Sequence, residues 1–409
     1  MILFLKVAFL NVLRNRRRTI ITVFAIVFGS LSLIVFGGFV ESMYDGLRES
    51  MIRSQLGHLQ IYKKGYSDYG NLEPEKYLLS AETVDTIVRI AEQQPEVDIV
   101  TSRLNFSGLL SNGQLSAGVF GMGMDAEKES LMNASVRIVE GEDLFEEDLD
   151  SALIGMGLAN SLNVEPGEWL TLLSTTADGA MNAVDLNVSG IITTGMKEID
   201  DRLIRANLAH IQSLMITDAL TRVVILLDQT ENTGVVQQGL KQAFADENLE
   251  LEIKTWSDLA GYYHKVVQMF NSVFGFIKVI VVVIVILGIA NTMMMAVMER
   301  TSEIGTIRAL GNTRGDILGL FLTEAAYLGF LGGIIGIIVG ILAAKGITAG
   351  NFMMPPPPGG TTGFPIRILI VPRLLLESLL LGMSASIISS IYPAIKASRL
   401  KIVDALRHV

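Results

Sequence analysis

The stretch Met298–Ile317, MERTSEIGTIRALGNTRGDI, lies between the two most apolar parts of a 409-residue chain. It carries Glu299, Arg300, Glu303, Arg308, Arg314 and Asp316 with three glycines, while its flanks are almost free of charge. A charged segment between two membrane-length runs stays in water while its neighbours enter lipid, so its side of the membrane fixes the topology. Ile304, Ile307 and Leu310 recur at helical spacing, with Glu299, Glu303 and Arg308 off that line, and Gly311 is placed to end the helix. So short a helix is marginal in water, so something must hold it.

Outward from this segment, four runs can span a hydrocarbon core, which takes roughly 20 apolar residues. Thr19–Val40 has no charge, Val266–Met298 is interrupted only by Lys278, Ile317–Ala344 only by Glu324, and Leu374–Pro393 only by Glu377. Mean hydropathy is +0.46, high for a globule in water. Basic residues gather at three places: Lys6, Arg14, Arg16, Arg17 and Arg18; Arg300, Arg308 and Arg314; Lys396, Arg399, Lys401 and Arg407. Four spans put these three segments on one side, which the positive-inside tendency makes cytoplasmic. Arg367 and Arg373, before the fourth run, run against this tendency. Residues 41–265 hold 36 of the 42 acidic side chains but only 16 of the 32 basic ones, which suits an outward-facing domain.

The expected organisation is an interfacial helix (1–18, with Leu5, Phe9, Val12 and Leu13 on one face), a first span (19–40), an outer domain (41–265) and a second span with a stalk (266–298). A cytoplasmic connector (299–316), a third span (317–344), an outer loop (345–373), a fourth span (374–393) and a cytoplasmic tail (394–409) follow. A cleaved signal would have a shorter apolar region and a small-residue site, whereas GGFVESMYDG after the first run has no A-x-A. Met43, Leu47, Met51 and Leu56 extend the first run outward, and no breaker precedes Gly275 in the second, so two paired stalk helices are expected. In the outer domain ETVDTIVRIAEQ reads as helix and VDIVTSRLNFSGLL as strand. RVVILLD, GVVQQGLKQAFAD and LEIKTW read as strand, helix, strand, and SALIG, WLTLLS and DLNVSGIIT as shorter strands between. The fold class is an α-helical membrane protein of four transmembrane helices plus a large α+β domain of two lobes. NFMMPPPPGGTTGFP, before the fourth run, cannot be helical.

Several chemistries lack their residues. Without cysteine there are no disulfides or thiolate sites. There is no G-x-x-x-x-G-K-[ST] phosphate loop, so no P-loop ATPase is expected in this sequence. GMGLAN, at Gly155–Asn160, misses the third glycine of a dinucleotide fingerprint. His58, His210, His264 and His408 are scattered, and EGEDLFEEDLD, at Glu140–Asp150, lacks the order of a calcium loop, so no metal is expected. No nucleophile–base pair stands out, and no nucleic-acid partner is expected. In the third run Gly332, Gly336 and Gly340 recur every fourth residue, with Gly329 and Gly333 beside them, a pattern that lets helix backbones approach closely in lipid. Glu324 in the same run needs a partner or water: a structural hydrogen bond, a gate or a proton site.

Glu299–Ile317, ERTSEIGTIRALGNTRGDI, resembles the ERxxEIGxLRAxGxxxxxI coupling segment of the permeases of type VII ABC transporters, the MacB/LolC/LolE/FtsX group. The tail YPAIKASRLKIVDALRHV is similar to that family's closing pattern, with Ile402 where proline is frequent, and Ser302 stands where a basic or polar residue is frequent. VEGEDLFEEDLDSALIGMGLANSLNVEPGEWLTL resembles its periplasmic segment. The resemblance implies a non-catalytic subunit of the bacterial inner membrane, paired with a second permease around a cytoplasmic P-loop ATPase dimer that binds ATP and Mg. Glu303, Ile304, Gly305, Ile307, Arg308, Ala309, Leu310 and Gly311 would dock on that ATPase. The chain starts at its first span and has a large outer domain, which favours LolC/LolE-like permeases without a fused ATPase. Lipoprotein release would use an apolar cavity lined from VFGSLSLIVFGG and VFGFIKVIVVVIV, with Met293–Met295 and Met298 as an adaptable face. A periplasmic adaptor or lipoprotein chaperone would be a further partner. The alternatives are an efflux permease with an adaptor, an FtsX-like regulator of a periplasmic hydrolase, and a membrane-tethered enzyme.

Overall fold

The computed structural model describes residues 14, 16–70, 72–132, 136–355, 364–402 and 405. The expected interfacial helix before Arg14 and residues 356–363 of the loop before the fourth run lie outside the described residues. The chain forms two compact units: Met1–Asp45 with Lys265–Met354 and Pro365–Val409, and Gly46–His264 with Pro355–Phe364.

The first unit is built from four helices long and apolar enough to cross a bilayer, Arg16–Met51, Gly261–Glu299, Arg314–Ala349 and Pro372–Ser398. Local chemistry sets their ends. Thr313 caps the third helix, its hydroxyl accepting the Asp316 N–H at 3.2 Å while Asp316 accepts the Thr313 N–H at 2.7 Å. Pro372 opens the fourth, where its missing N–H costs nothing. That helix continues through Pro393 to Ser398. The first two helices exceed a hydrocarbon core: at about 1.5 Å per residue, Gly261–Glu299 is ~58 Å long. Beyond the lipid-length part they stay paired, with Phe36 against Phe274 at 5.4 Å and the Tyr44 hydroxyl donating to Val267 O at 3.2 Å. These are the stalk helices.

The glycine pattern serves two neighbours at once. A Cβ at Gly332, Gly336 or Gly340 would press on Ile26, Ser30 or Ile34 of the first helix, at 2.9, 2.5 and 2.8 Å. At Gly329 and Gly333 it would meet Met383 and Leu379 of the fourth helix, at 2.8 and 2.6 Å. The third helix is therefore the close-packed centre of the unit. Charges lie in two layers. Arg18, Arg300 and Glu324 meet at one end, and Lys278 pairs with Glu377 at 2.7 Å and Arg373 with Glu377 at 2.9 Å towards the other. The residues from Lys278 to Arg300 span about 33 Å of helix, close to a hydrocarbon thickness of ~30 Å. Each charge that interrupts an apolar run thus has a partner.

The second unit is a ten-stranded mixed sheet with helices. Its strands are β1 (Leu59–Lys63), β2 (Val97–Ser111), β3 (Ser116–Met124), β4 (Arg137–Gly141), β5 (Ser151–Gly155), β6 (Trp169–Thr175), β7 (Met181–Thr193), β8 (Leu203–Asn207), β9 (Arg222–Leu227) and β10 (Leu251–Thr255). The order β10-β1-β9-β2 makes one lobe, covered by helices Ala81–Ala91 and Thr233–Asp246. From β2 the sheet continues through β3, β8, β5 and β7 to β6, and β6 pairs back onto β2, closing a ring packed by helices Met156–Leu162 and Leu208–Met215. Long β2 joins the lobes: Val97–Arg103 pairs with β9 and Gly108–Ser111 with β6. RVVILL in β9 is buried throughout because it has a core on each face. Val223, Ile225 and Leu227 enter the main core, while Val224 and Leu226 join Ile52 and Met132 on the other side.

Ile52 belongs to a wide π-turn, Ile52–Leu56, that follows the first helix. Two arginines from the sheet hold the carbonyls of this turn. Arg205 Nη2 donates to Ser54 O at 2.8 Å and Arg103 Nη1 to Gln55 O. Arg103 also forms a two-pronged pair with Glu129, at 2.6 and 2.9 Å, and all three side chains are buried. Burial pushes the Glu129 carboxyl up, and the charge and hydrogen bonds of Arg103 reverse this and hold it below the usual range.

Candidate coupling surface

The connector forms a helix, Thr301–Ala309, and the structure divides the eight predicted docking residues. Ile304 and Gly305 are buried, Ile307 and Arg308 half-buried, and Glu303, Ala309, Leu310 and Gly311 exposed. The expected line Ile304–Ile307–Leu310 therefore fails at its last member. The helix ends at Ala309, Leu310 takes φ −77° and ψ 4°, and Gly311 turns the chain at φ +99°. Leu310 is left 79% exposed. Ile304 joins an apolar cluster with Ile317, Phe321, Ala394 and Ala397, against which Ile307 and Leu400 pack.

Polar contacts fix the same helix at both ends. Before its first turn, Arg300 Nη1 donates to Glu324 Oε1 at 2.9 Å and Arg300 Nε to Glu303 Oε2 at 2.9 Å, with the guanidinium 5.8 Å from the Phe321 ring centre. Arg18 Nη2 reaches Glu324 Oε2 at 3.5 Å, and Arg14 Nη2 donates to Glu303 Oε1 at 2.5 Å. Burial would raise the Glu303 carboxyl, but Arg300 and then Arg14 hold it below the usual carboxylate range. At the other end Arg308 Nη1 donates to Ser398 O at 3.0 Å and Leu400 O at 3.1 Å, the open carbonyls ending the fourth helix. Arg308, predicted to face a partner, is thus turned inward. Glu324 is fully buried and ion-paired. Arg18 and Arg300 were not singled out from the sequence. Their one signal is position, since each stands where a charged stretch meets an apolar run.

Among the described residues no three His, Cys, Asp or Glu side chains are grouped to hold a metal. A Cβ at Gly157 would collide with Asp201, so the glycine of GMGLAN serves a close approach of the chain. Between the first, second and fourth helices, Gly29, Ser30, Val285 and Gly382 line a cavity of about 20 Å³. That is water-sized, too small for an acyl chain. In the second helix Met293 is buried, whereas Met295 and Met298 are exposed.

The same two-part build appears in known proteins. The family described as MacB-like periplasmic core domain matches residues 19–243, and the FtsX-like permease C-terminal domain matches 275–402. The chain belongs to this family of ABC transporter permeases. It is similar to the uncharacterized ABC transporter permease YvrN of Bacillus subtilis, 25% identical over 99% of both chains. It is also similar to the lipoprotein-releasing system transmembrane protein LolE of Haemophilus influenzae, 24% identical over 63% of each chain. A third relative is the lipoprotein-releasing system transmembrane protein LolC of Neisseria meningitidis, 23% identical over 79% of this chain and 76% of that one. As a member of this family the chain is a non-catalytic membrane subunit that works with an ATPase.

Proposed function

We propose that the chain is one of two permease subunits that couple a separate cytoplasmic P-loop ATPase dimer, the site of ATP and Mg, to lipoprotein release on the far side of the inner membrane. Both termini and the helix Thr301–Ala309 are cytoplasmic in this reading. The observation that carries it is the two-sidedness of that helix: Ile304 and Gly305 are locked into the bundle, while Ser302, Glu303, Thr306, Ala309 and Leu310 form an exposed ridge. A leucine 79% exposed at the tip is suited to an apolar groove on another protein. Likeness to the two lipoprotein-releasing transmembrane proteins supports the cargo. The cavity between the first, second and fourth helices holds about 20 Å³, so in this reading acyl chains are taken up where two permeases meet.

Affinity purification from membranes tests this, comparing wild type with Leu310→Glu combined with Thr306→Arg. The wild type should retain a P-loop ATPase and triacylated lipoproteins, and the variant should lose the ATPase at least tenfold while its helices stay folded. A wild type that retains no ATPase ends the coupling reading. Retention of the ATPase with a different cargo ends only the lipoprotein part.

A further inference from the structure

Among the charged residues predicted to dock on an ATPase, Arg308 is the one turned towards the fourth helix. Its Nη1 lies between two carbonyls, Ser398 O and Leu400 O, at 3.0 and 3.1 Å, where the fourth helix ends. A helix C-terminus presents unpaired carbonyls and partial negative charge, which a guanidinium satisfies well. Beside it Ile304 and Ile307 pack with Ala394, Ala397 and Leu400. At the opposite end of the short helix, Arg300 ties it through the buried carboxylate of Glu324 to the third helix, and Arg18 of the first helix joins the same carboxylate. The segment after the second helix is thus bound to the other three.

We propose that Arg308 is a positioning residue that locks the helix Thr301–Ala309 to the end of the fourth helix, so that a push on its exposed ridge moves the whole bundle instead of bending the connector. This rests on the coupling reading above. Arg308 then touches no ATPase, and its loss leaves docking intact while uncoupling it from transport. A covalent link across the same gap should replace it.

The absence of cysteine from the natural sequence makes the test direct. In the full chain, reconstituted in lipid vesicles with its ATPase, Arg308→Cys with Leu400→Cys is compared with wild type, reduced and then joined by a short bismaleimide. The readouts are ATPase retention and stimulation of ATP turnover by a triacylated lipoprotein. Reduced, the variant should hold the ATPase within about twofold of wild type but lose stimulation about tenfold. Cross-linked, it should return to within about twofold. Unchanged stimulation in the reduced form overturns the proposal. So does loss of ATPase binding that the cross-link does not restore, which would make Arg308 a docking contact. Arg308→Lys, which can reach one carbonyl at a time, keeps the test alive if the cysteine pair does not fold: it should keep docking and lose part of the stimulation. A wild type that binds no ATPase defeats the coupling reading itself, a result distinct from either.

Discussion

Each unit holds a helix end with buried arginines, but the two clusters are built differently. In the sheet unit, Arg103 and Arg205 take the carbonyls after the first helix, with Glu129 as the buried carboxylate that answers them, and Arg222 is buried on the neighbouring strand β9. In the helical unit, Arg18 and Arg300 converge on Glu324, and Arg300 goes on to the half-exposed Glu303. The first cluster is enclosed by strands whose backbones are already paired, so its geometry is imposed. The second lies where helices meet a charged rim and has one open side. The difference is that a buried charge network enclosed by a sheet has every member covered, while one at helix ends keeps an exposed member, Glu303.

The comparison can be broken most readily at Glu129. Glu129→Gln leaves Arg103 without its carboxylate and should cost about 3–5 kcal/mol, the usual result of orphaning a buried charge. Both tryptophans of the chain, Trp169 and Trp256, lie in the sheet unit, so their fluorescence during urea unfolding of the full chain reads it. Less than about 1 kcal/mol would mean that the cluster is wet.

His58 gives the next effect and tests the same unit by pH. It follows the π-turn, its Nδ1 accepts the Leu227 N–H at 2.9 Å, and burial lowers its pKa from 6.5 to about 4. A group depressed in the folded state gives stability that is fully present above its unfolded pKa and lost as pH falls. The sheet unit should hold steady above pH 6.5 and lose about 3 kcal/mol on the way down to pH 4. In His58→Gln the His58 part of that slope should vanish.

Glu324→Gln probes the cluster at the helix ends. Arg300 keeps Glu303, so the loss should be smaller than at Glu129, about 2–3 kcal/mol, followed by circular dichroism of the helices in mixed detergent. An equal or larger loss would erase the distinction between the two clusters. Gly336→Val sets packing against charge in the same unit: its side chain must displace Ser30, for about 1–3 kcal/mol by the same assay. Smallest is the Lys278–Glu377 pair at the other rim, each side chain 31% exposed. A double-mutant cycle with Lys278→Met and Glu377→Gln should return only about 0.2–1 kcal/mol of coupling.

Much of this was legible in the sequence because the signals are periodic and local. Charge-poor runs of spanning length located four helices, and the strands SALIG, WLTLLS and RVVILL and the helix at Ala81–Ala91 follow from their patterns. β3 and β8 were not legible. SAGVFGMGM has low strand propensity, and its glycines make sense only where Gly121 packs against Ile204 of β8 and Gly123 against Ile211. The apolar line through Leu310 misled because spacing does not show where a helix stops.

The sequence by itself determined the solvent each segment meets: lipid for the four apolar runs, water for the acidic domain and the connector. It also placed the basic clusters at the ends of the runs and the small residues along one helix, since composition and period need no partner to be read. Only the tertiary structure decided which charge answers which. Arg300 with Glu324, Arg308 with Ser398 O, Lys278 with Glu377 and Arg103 with Glu129 are separated by 24, 90, 99 and 26 positions. Electrostatic and hydrogen-bond contacts act across ångströms in space and carry no trace in spacing along the chain. The tertiary structure therefore divided the row of eight candidate residues into an exposed set, Glu303, Ala309, Leu310 and Gly311, and an inward set, Ile304, Gly305, Ile307 and Arg308.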